Sequence, residues 1–315
     1  MQRAKIFIDG EAGTTGLSIR DRLRRLPDIE LLSLAADRRK DPDARRAAMA
    51  EADLVVLCLP DAAARESVAL ADSLGDRAPK IVDASTAHRV VPGWVYGFPE
   101  MEPGQAERVA AARKVSNPGC YPTGAIALIR PLVDAGLLPP DYPVTINAVS
   151  GYSGGGKSMI EAHETSGGPA FELYGLGFDH KHLPETQKFS HLTRRPIFIP
   201  SVGHFRQGML VSVPLHLDTL PGRPAVAELH SVLADRYRGR DLIRVLPAAP
   251  TDRLEPEALN DTDLLELRVY TSEPHRQAVL VARLDNLGKG AAGAAVQSIG
   301  LMLGLEQKVR EPAHA

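Results

Sequence analysis

The residues best suited to chemistry in this chain surround Cys120, within Ser116-Asn117-Pro118-Gly119-Cys120-Tyr121-Pro122-Thr123-Gly124. The Pro-Gly pair ends the preceding strand-like run, and Pro122 is typical of the first turn of a helix. Cys120 is therefore predicted at or just before a helix N-terminus, where the helix dipole favours a thiolate over a thiol. A thiolate placed there is a nucleophile suited to covalent chemistry on a carbonyl.

The other cysteine, Cys58, lies in a different sequence environment. Residues 53–59 form an apolar strand-like run, so Cys58 is interpreted as a core residue. The neighbours of Cys120 are instead glycine, proline, asparagine and serine, which favour turns and do not fill cores. Two cysteines cannot form a disulfide framework, which favours a reducing compartment.

A second candidate group is the histidine cluster of residues 177–185, where His180 and His182 flank a lysine and precede an acid. The sequence offers no paired-ligand spacing, so no metal site is predicted. A histidine beside a reactive cysteine is better suited to general acid/base catalysis, because its pKa lies close to working pH.

A glycine-rich turn follows the first predicted strand and opens the first predicted helix, with the spacing Gly10-x-x-Gly13-x-x-Gly16. Glycines allow the backbone to approach a pyrophosphate, which a helix N-terminus attracts, so the turn is predicted to bind a dinucleotide. The basic residues after the second strand favour NADP, and Asp37 leaves NAD open. The predicted cofactor-binding residues here are Gly10, Ala12, Gly13, Thr14, Thr15, Gly16, Arg38 and Arg39.

Two further segments are candidate anion sites. Residues 83–89 follow a parallel strand at the edge where ligands bind, and they place Ser85 and Arg89 there as hydrogen-bond and ion-pair donors. Residues 150–157 form a glycine-rich loop with many backbone N–H groups and the ammonium of Lys157. A flexible hairpin connection is the alternative for this second segment.

The alternation of elements predicts two domains. The first third of the chain alternates short apolar strands with amphipathic helices, which indicates a doubly wound parallel sheet. After Cys120, longer strand-like runs indicate an α+β domain with a mostly antiparallel or mixed sheet. The predicted boundaries are residues 1–118 for dinucleotide binding, completed by a C-terminal helix at 287–315, and residues 119–286 for catalysis and oligomerisation.

Composition limits the class of partner. The chain has 315 residues and a formal net charge of −2, so nucleic acid is not an expected partner. The sequence shows no basic-then-apolar signal segment and no apolar run of about 20 residues, the length that spans a bilayer. These features together predict a cytoplasmic protein with no membrane partner.

Four segments in combination resemble the short form of the N-acetyl-gamma-glutamyl-phosphate reductase family, which shares its overall plan with aspartate-semialdehyde and glyceraldehyde-phosphate dehydrogenases. The resemblance covers essentially the whole chain. The segments are residues 7–16, residues 116–124, His180-Lys181-His182-Leu183-Pro184-Glu185, and the terminal run 285–293.

The resemblance implies NADPH-dependent reduction of N-acetyl-glutamyl 5-phosphate to the 5-semialdehyde with release of phosphate. By position, it implies Cys120 as the nucleophile and His182 as the acid/base. Arg206 lies in the segment 203–209, where the longer form of the family has a Pro-Met-x-Arg-Gly pattern. The predicted cofactor site also includes Ser85 and Asn286, and the predicted substrate site comprises Arg89, Asn117, Ser150, Ser153, Gly154, Lys157, His180 and Arg206.

Other functions remain open at this point. The same chemistry on N-acetyl-aminoadipyl phosphate, or on a carrier-protein-linked form, differs by one methylene and thus by only ~1–3 kcal/mol. Aspartyl phosphate fits less well, because that family has a different cysteine motif. A non-catalytic dinucleotide-binding sensor is the alternative from another class. By fold analogy, the second domain predicts a homo-oligomer, either a dimer or a tetramer.

Overall fold

A computed structural model describes residues 3–248 and 252–305. Within this range the chain forms two compact units. The first comprises residues 3–99, 103–118 and 291–305. The second comprises residues 100–102, 119–248 and 252–290.

The first unit contains a six-stranded sheet in the order β2-β1-β3-β4-β6-β5, and every neighbouring pair is parallel. The strand Leu54–Leu57, in the interior of this sheet, is fully buried, as expected for an apolar strand of a parallel sheet. The strands are β1 (Ala4–Asp9), β2 (Ile29–Leu32), β3 (Leu54–Leu57), β4 (Lys80–Asp83), β5 (Val95–Tyr96) and β6 (Lys114–Ser116).

The described residues of this unit form five α-helices. They are α1 (Thr14–Leu23), α2 (Pro42–Glu51), α3 (Asp61–Asp72), α4 (Gln105–Ala111) and, from the C-terminal part of the chain, α9 (Gly293–Leu303). The apolar faces of α1 and α9 share one core cluster with the sheet, because Ile19, Leu23, Ala295 and Ile299 are all buried in it. The C-terminal helix therefore contributes to the core of the first unit.

The second unit contains a seven-stranded mixed sheet in the order β11-β12-β13-β10-β7-β9-β8. Its strands are β7 (Thr145–Gly151), β8 (Phe171–Leu173), β9 (Ile197–Gly203), β10 (Met209–His216), β11 (Ile243–Val245), β12 (Leu265–Ser272) and β13 (Gln277–Leu284). The pairs β11/β12 and β7/β9 are parallel, and the other four are antiparallel.

One face of this sheet is covered mainly by α5 (Cys120–Asp134), whose residues 121–132 are all buried. Contact is close at Gly124, where a Cβ atom would lie 2.9 Å from a side-chain carbon of Val211. The other helices of the unit are α6 (Gly156–Ser166), α7 (Leu183–Phe189) and α8 (Val226–Arg236).

The predicted fold class is confirmed, and the differences are local. The segment predicted as a glycine-rich loop, residues 150–157, contains the end of β7, a short 3-10 turn and the start of α6. Residues 306–315 of the predicted C-terminal helix lie outside the described residues. No helix in the described part of the chain is long and apolar enough to cross a membrane.

Candidate active site

Cys120 is the first residue of α5, as the flanking glycine and prolines predicted. Gly119 is the N-cap and has extended backbone, with no side chain capping the first turn. The first helical hydrogen bond runs from Thr123 N–H to Gly119 C=O at 3.0 Å. The N–H groups at the start of a helix have no acceptor within that helix, and together with the dipole they stabilise negative charge. Cys120 is half-buried at this position.

The first turn of α7 is bonded directly to the cysteine turn. Gly119 N–H donates to Glu185 Oε2 at 3.1 Å, and Glu185 is buried. His182 is the N-cap residue of α7, three positions before Glu185, and it is buried too. One buried carboxylate therefore connects the residue before Cys120 with the helix that begins at His182.

Aromatic contacts place both histidines beside the start of α5. The ring of Tyr121 lies edge-on to His182, with ring centroids 5.9 Å apart, and to His180, at 6.2 Å. His180 Nδ1 also accepts a hydrogen bond from His182 N–H at 3.2 Å. Burial lowers the pKa of His180 to about 4, and the charge of Lys181 adds to the shift. His180 is therefore neutral at neutral pH, where it can accept this bond.

Tyr174 is a further group near the cysteine. Its hydroxyl donates to the hydroxyl of Tyr121 at 3.3 Å, and Tyr121 donates to Ser201 C=O at 2.9 Å. The pKa of Tyr174 is raised to about 12, mainly by burial, and the charge of nearby Cys120 contributes to this shift. Tyr174 is thus a neutral hydroxyl close enough to Cys120 to respond to its charge.

The segment Asp285–Gly290 contacts both the cysteine and the glycine-rich turn after β7. A Cβ atom on Gly290 would lie 3.0 Å from Cys120 Cβ, so the position has no room for a larger residue unless Cys120 shifts. Four residues earlier, Asn286 Nδ2 donates to Ser153 Oγ at 2.9 Å, and Asn286 Oδ1 accepts from Gly208 N–H at 2.8 Å. Asn286, predicted to bind cofactor, is thus hydrogen-bonded to a predicted substrate residue.

The glycine-rich turn after β7 is fixed to the loop between β9 and β10. Ser153 N–H donates to Arg206 C=O at 3.0 Å, and His163 Nδ1 lies 3.0 Å from His204 Nδ1. The predicted substrate residues Ser150, Ser153, Gly154 and Arg206 are consequently gathered at this junction. Arg206 forms an exposed ion pair with Glu164, and Lys157 is exposed in the first turn of α6.

The glycine-rich turn after β1 fits the phosphates of a dinucleotide. Gly10 has a φ of +91°, and a Cβ atom there would lie 2.3 Å from Cys58 C=O. A Cβ on Gly16 would lie 2.6 Å from Gly10 C=O, so the tight turn requires glycine at both positions. Gly13 is the N-cap of α1, with no side chain capping the helix and no acidic residue in the first turn. The start of α1, with Ala12, Thr14 and Thr15 around it, therefore suits an anion.

The remaining predicted residues of the first unit already have partners or are buried. Arg38 pairs with Asp41 at 3.1 Å, and Arg39 pairs with Glu11 at 2.7 Å. Ser85 Oγ donates to the buried carboxylate of Asp83 at 2.8 Å, and Arg89 is buried. Asn117 N–H donates to Asp83 C=O at 2.7 Å, and its side-chain amide donates to Ala291 C=O at 3.0 Å.

Comparison with known families assigns both parts of the chain. The family described as "Semialdehyde dehydrogenase, NAD binding domain" matches residues 5–109. The family described as "Semialdehyde dehydrogenase, dimerisation domain" matches residues 120–286. Individual relatives narrow the family. An N-acetyl-gamma-glutamyl-phosphate reductase of Brucella ovis is 53% identical to this chain over 310 residues. The match covers 96% of this chain and 99% of the relative. The relative from Brucella canis matches with the same identity and coverage.

The chain belongs to the N-acetyl-gamma-glutamyl-phosphate reductase family. Solved structures of the wider group share the fold of this family member. Aspartate semialdehyde dehydrogenase II of Vibrio cholerae, complexed with ASA, matches with a TM-score of 0.70 at 17% identity, covering 96% of this chain and 99% of that one. The enzyme of Francisella tularensis matches with a TM-score of 0.72 at 12% identity, covering 95% and 100%. At such identities these likenesses show the fold alone.

Several residues near Cys120 in this reductase family member are not among the predicted site residues. Glu185 was noted only as an acid after the histidines, and its bond to Gly119 spans 66 positions. Tyr174 and Gly290 carry no local sequence signal for a place near Cys120. The one sequence signal for Glu185 is its position three residues after His182 with Pro184 between them, a pattern typical of a helix start.

Proposed function

We propose that the chain catalyses the NADPH-dependent reduction of N-acetyl-glutamyl 5-phosphate to N-acetyl-glutamate 5-semialdehyde, with release of phosphate, in arginine biosynthesis. The observation that carries this proposal is Cys120 at the start of α5, tied through Glu185 to the helix that begins at His182. The 53% identity to reductases of that name supports the substrate.

The first half of the reaction is acyl transfer to Cys120. The thiolate, favoured by the start of α5, attacks the acyl carbon of the substrate and forms a carbon–sulfur bond. Backbone N–H groups at the start of α5 stabilise the oxygen of the tetrahedral species. The bond between the acyl carbon and the phosphate oxygen then breaks, and phosphate leaves with the electron pair. The product on the protein is a thioester at Cys120.

The second half releases the aldehyde. NADPH, when bound, supplies the hydride that reduces the thioester carbonyl. His182 protonates the resulting hemithioacetal oxygen and takes this proton back as the carbonyl re-forms, or it assists the direct collapse of the anion with no net proton transfer. The carbon–sulfur bond breaks, Cys120 returns to the thiolate, and the semialdehyde departs. Neutral His180 accepts the backbone N–H of His182 and so helps to position that residue.

The binding roles divide between the two units. In the first unit, residues 10–16 with Arg38, Arg39 and Ser85 would hold the dinucleotide; the second unit, beginning at Gly119, would carry out catalysis. The anionic groups of the substrate would be bound by residues from the predicted set, namely Arg89, Asn117, Ser150, Ser153, Gly154, Lys157, His180 and Arg206. Asn286 would assist through its bond to Ser153.

The test is the reverse reaction with the purified full chain. N-acetyl-glutamate 5-semialdehyde should reduce NADP+ only when inorganic phosphate is present, as followed by the absorbance of the reduced nicotinamide. The homologous semialdehyde with one more methylene should react about 10- to 200-fold less efficiently. A preference for the longer substrate would reassign the chain to aminoadipyl phosphate, and cofactor binding without turnover of either substrate would indicate a sensor.

We also propose that the chain is a cytoplasmic homo-oligomer that associates through the face of its second sheet opposite α5, which the described helices leave open. This face has a cavity of about 680 Å³, and among its lining residues Phe171, Leu173 and Val279 are 58%, 48% and 38% exposed. Apolar exposure of this kind marks association surfaces, and the matching family is described as a dimerisation domain. Sedimentation of a Phe171→Glu/Val279→Glu variant should give a smaller species than the unmodified chain; equal masses would contradict this surface.

A further inference from the structure

The glycine-rich turn between β1 and α1 contains a buried carboxylate, Glu11, whose charge is unfavourable for a phosphate-binding turn. Glu11 is 7% exposed. Its Oε1 accepts from Arg39 at 2.7 Å, and its Oε2 accepts from Ser33 Oγ at 3.3 Å. A carboxylate repels phosphate unless a cation compensates it, so the pair with Arg39 is what makes this acid tolerable in the turn.

Arg39 is also a candidate partner for the 2′-phosphate that distinguishes NADPH from NADH. It follows β2, the position where a basic residue accommodates that phosphate in dinucleotide-binding sheets. Arg39, Lys40 and Glu11 line one cavity of about 210 Å³ with Gly10 and Ala12. The side chain of Arg39 is 42% exposed, so its guanidinium remains accessible while it pairs with Glu11.

We propose that Glu11 determines the strength of the preference for NADPH over NADH, because its carboxylate competes with the 2′-phosphate of the cofactor for Arg39. A guanidinium binds a phosphate best when its forked donors are available together. Binding of NADPH therefore requires Arg39 to exchange or share its partner, whereas binding of NADH does not. This inference rests on the proposed function, which names the cofactor.

The variant Glu11→Gln tests the inference directly, because it removes the charge and keeps the size of the side chain. Fluorescence titration of the full chain should show NADPH binding about threefold to fivefold tighter than in the unmodified protein, which is the scale of one partly exposed ion pair. The affinity for NADH should change less than about twofold. Arg39→Met should weaken NADPH binding about tenfold. Adding Glu11→Gln to Arg39→Met should leave the NADPH-to-NADH affinity ratio as it is in Arg39→Met, since relief of general repulsion strengthens the binding of both cofactors equally.

Glu30→Gln is the matched control, because Glu30 is an exposed acid of the same sheet that does not line the cavity. It should leave both affinities unchanged. Adenosine 2′,5′-bisphosphate and adenosine 5′-monophosphate, which differ only in the 2′-phosphate, should reproduce the NADPH and NADH results by calorimetry. If Glu11→Gln does not fold, Glu11→Asp withdraws the carboxylate by one methylene and should shift the ratio in the same direction, by less.

Three results would overturn the inference: an unchanged NADPH-to-NADH affinity ratio, an equal gain for both cofactors, or weaker NADPH binding in Glu11→Gln. An equal gain would mean general repulsion from the pyrophosphate instead of competition for Arg39. Failure of the unmodified chain to bind either cofactor would contradict the proposed function itself. A functional reductase whose NADPH-to-NADH affinity ratio does not change in Glu11→Gln would contradict only this inference.

Discussion

Both cysteines lie between fully buried and exposed, yet their surroundings favour opposite chemistry. Cys58 follows β3, and its thiol lies in the parallel-sheet unit near the carboxylates of Asp83 and Asp9. Burial raises the pKa of Cys58 to about 12, and both carboxylates add to the shift. Cys120 instead begins a helix, and Tyr121 and Tyr174 lie close enough to respond to its charge. A thiol buried beside two carboxylates is thus a core thiol, whereas a thiol at a helix start is a candidate nucleophile.

The largest expected effect comes from exchanging sulfur for oxygen at each cysteine in turn. Cys120→Ser should lose about 10⁴-fold or more in kcat, because a serine hydroxyl ionises far less readily than a thiol and is a poorer nucleophile. NADPH affinity should change less than about twofold, since Cys120 is not among the residues proposed to bind the cofactor. Cys58→Ser is the matched control and should keep its kcat. A large loss of kcat in both variants, or in Cys58→Ser alone, would contradict the assignment of Cys120 as the nucleophile.

Removal of the histidine at the N-cap of α7 should have the next largest effect. His182→Gln should lose about 10²–10⁴-fold in kcat, the range for a general acid/base. The alkylation of Cys120 by iodoacetamide should also slow, because the thiolate loses a partner that can carry positive charge. His216→Gln, which changes an exposed histidine at the end of β10, is the control. Full activity in His182→Gln would exclude it as the acid/base.

Glu185 marks a further difference between the two cysteines. The N–H before Cys120 donates to the Glu185 carboxylate, whereas the N–H of Cys58 donates to the backbone C=O of Asp9. Glu185→Gln keeps an acceptor for Gly119 N–H but removes its charge, and a charge-assisted bond is worth about 1.5–3 kcal/mol against about 1 for a neutral one. We expect kcat to fall about 10-fold with KM nearly unchanged. The exposed Glu172→Gln should behave like the unmodified chain. A rise in KM with constant kcat would place Glu185 in substrate binding instead.

The pH dependence of alkylation should separate the two thiols without any mutation. Cys120 should react with iodoacetamide at neutral pH, and Cys58 should stay protected until the pH approaches its pKa of about 12 or the protein unfolds. The raised pKa of Cys58 also stabilises the fold below the pKa of an unfolded cysteine, and this contribution is lost as pH rises toward about 12. Peptide mapping by mass spectrometry gives both rates. Faster labelling of Cys58 at neutral pH would contradict the assignment.

The smallest effect concerns His180. Because burial lowers its pKa to about 4, His180 stabilises the fold above the pKa of an unfolded histidine, and this contribution is lost as pH falls toward about 4. His180→Phe should therefore flatten the decline in melting temperature over that acid range. The kcat profile near neutral pH should keep its shape, since His180 does not titrate there. Titration of His180 near pH 6.5 by NMR would contradict the predicted burial effect.

Local sequence signals were sufficient where the chemistry depends on backbone position. The Pro-Gly-Cys-Tyr-Pro run indicated that Cys120 lies at a helix start, and the glycine spacing indicated the turn between β1 and α1. Contacts between distant segments could not be read in this way. The pairing of Glu11 with Arg39, and the place of Asn286 beside Ser153, depend on tertiary packing across 28 and 133 positions.

The most direct test is to look for the covalent intermediate. The full chain is mixed with N-acetyl-glutamyl 5-phosphate in the absence of NADPH, quenched in acid, digested and mapped by mass spectrometry. We expect an acyl group on the peptide containing Cys120 and none on the peptide containing Cys58. The adduct on Cys120 should disappear when NADPH is added before quenching. Turnover-competent protein with no adduct on Cys120, or with the acyl group on Cys58, would contradict it.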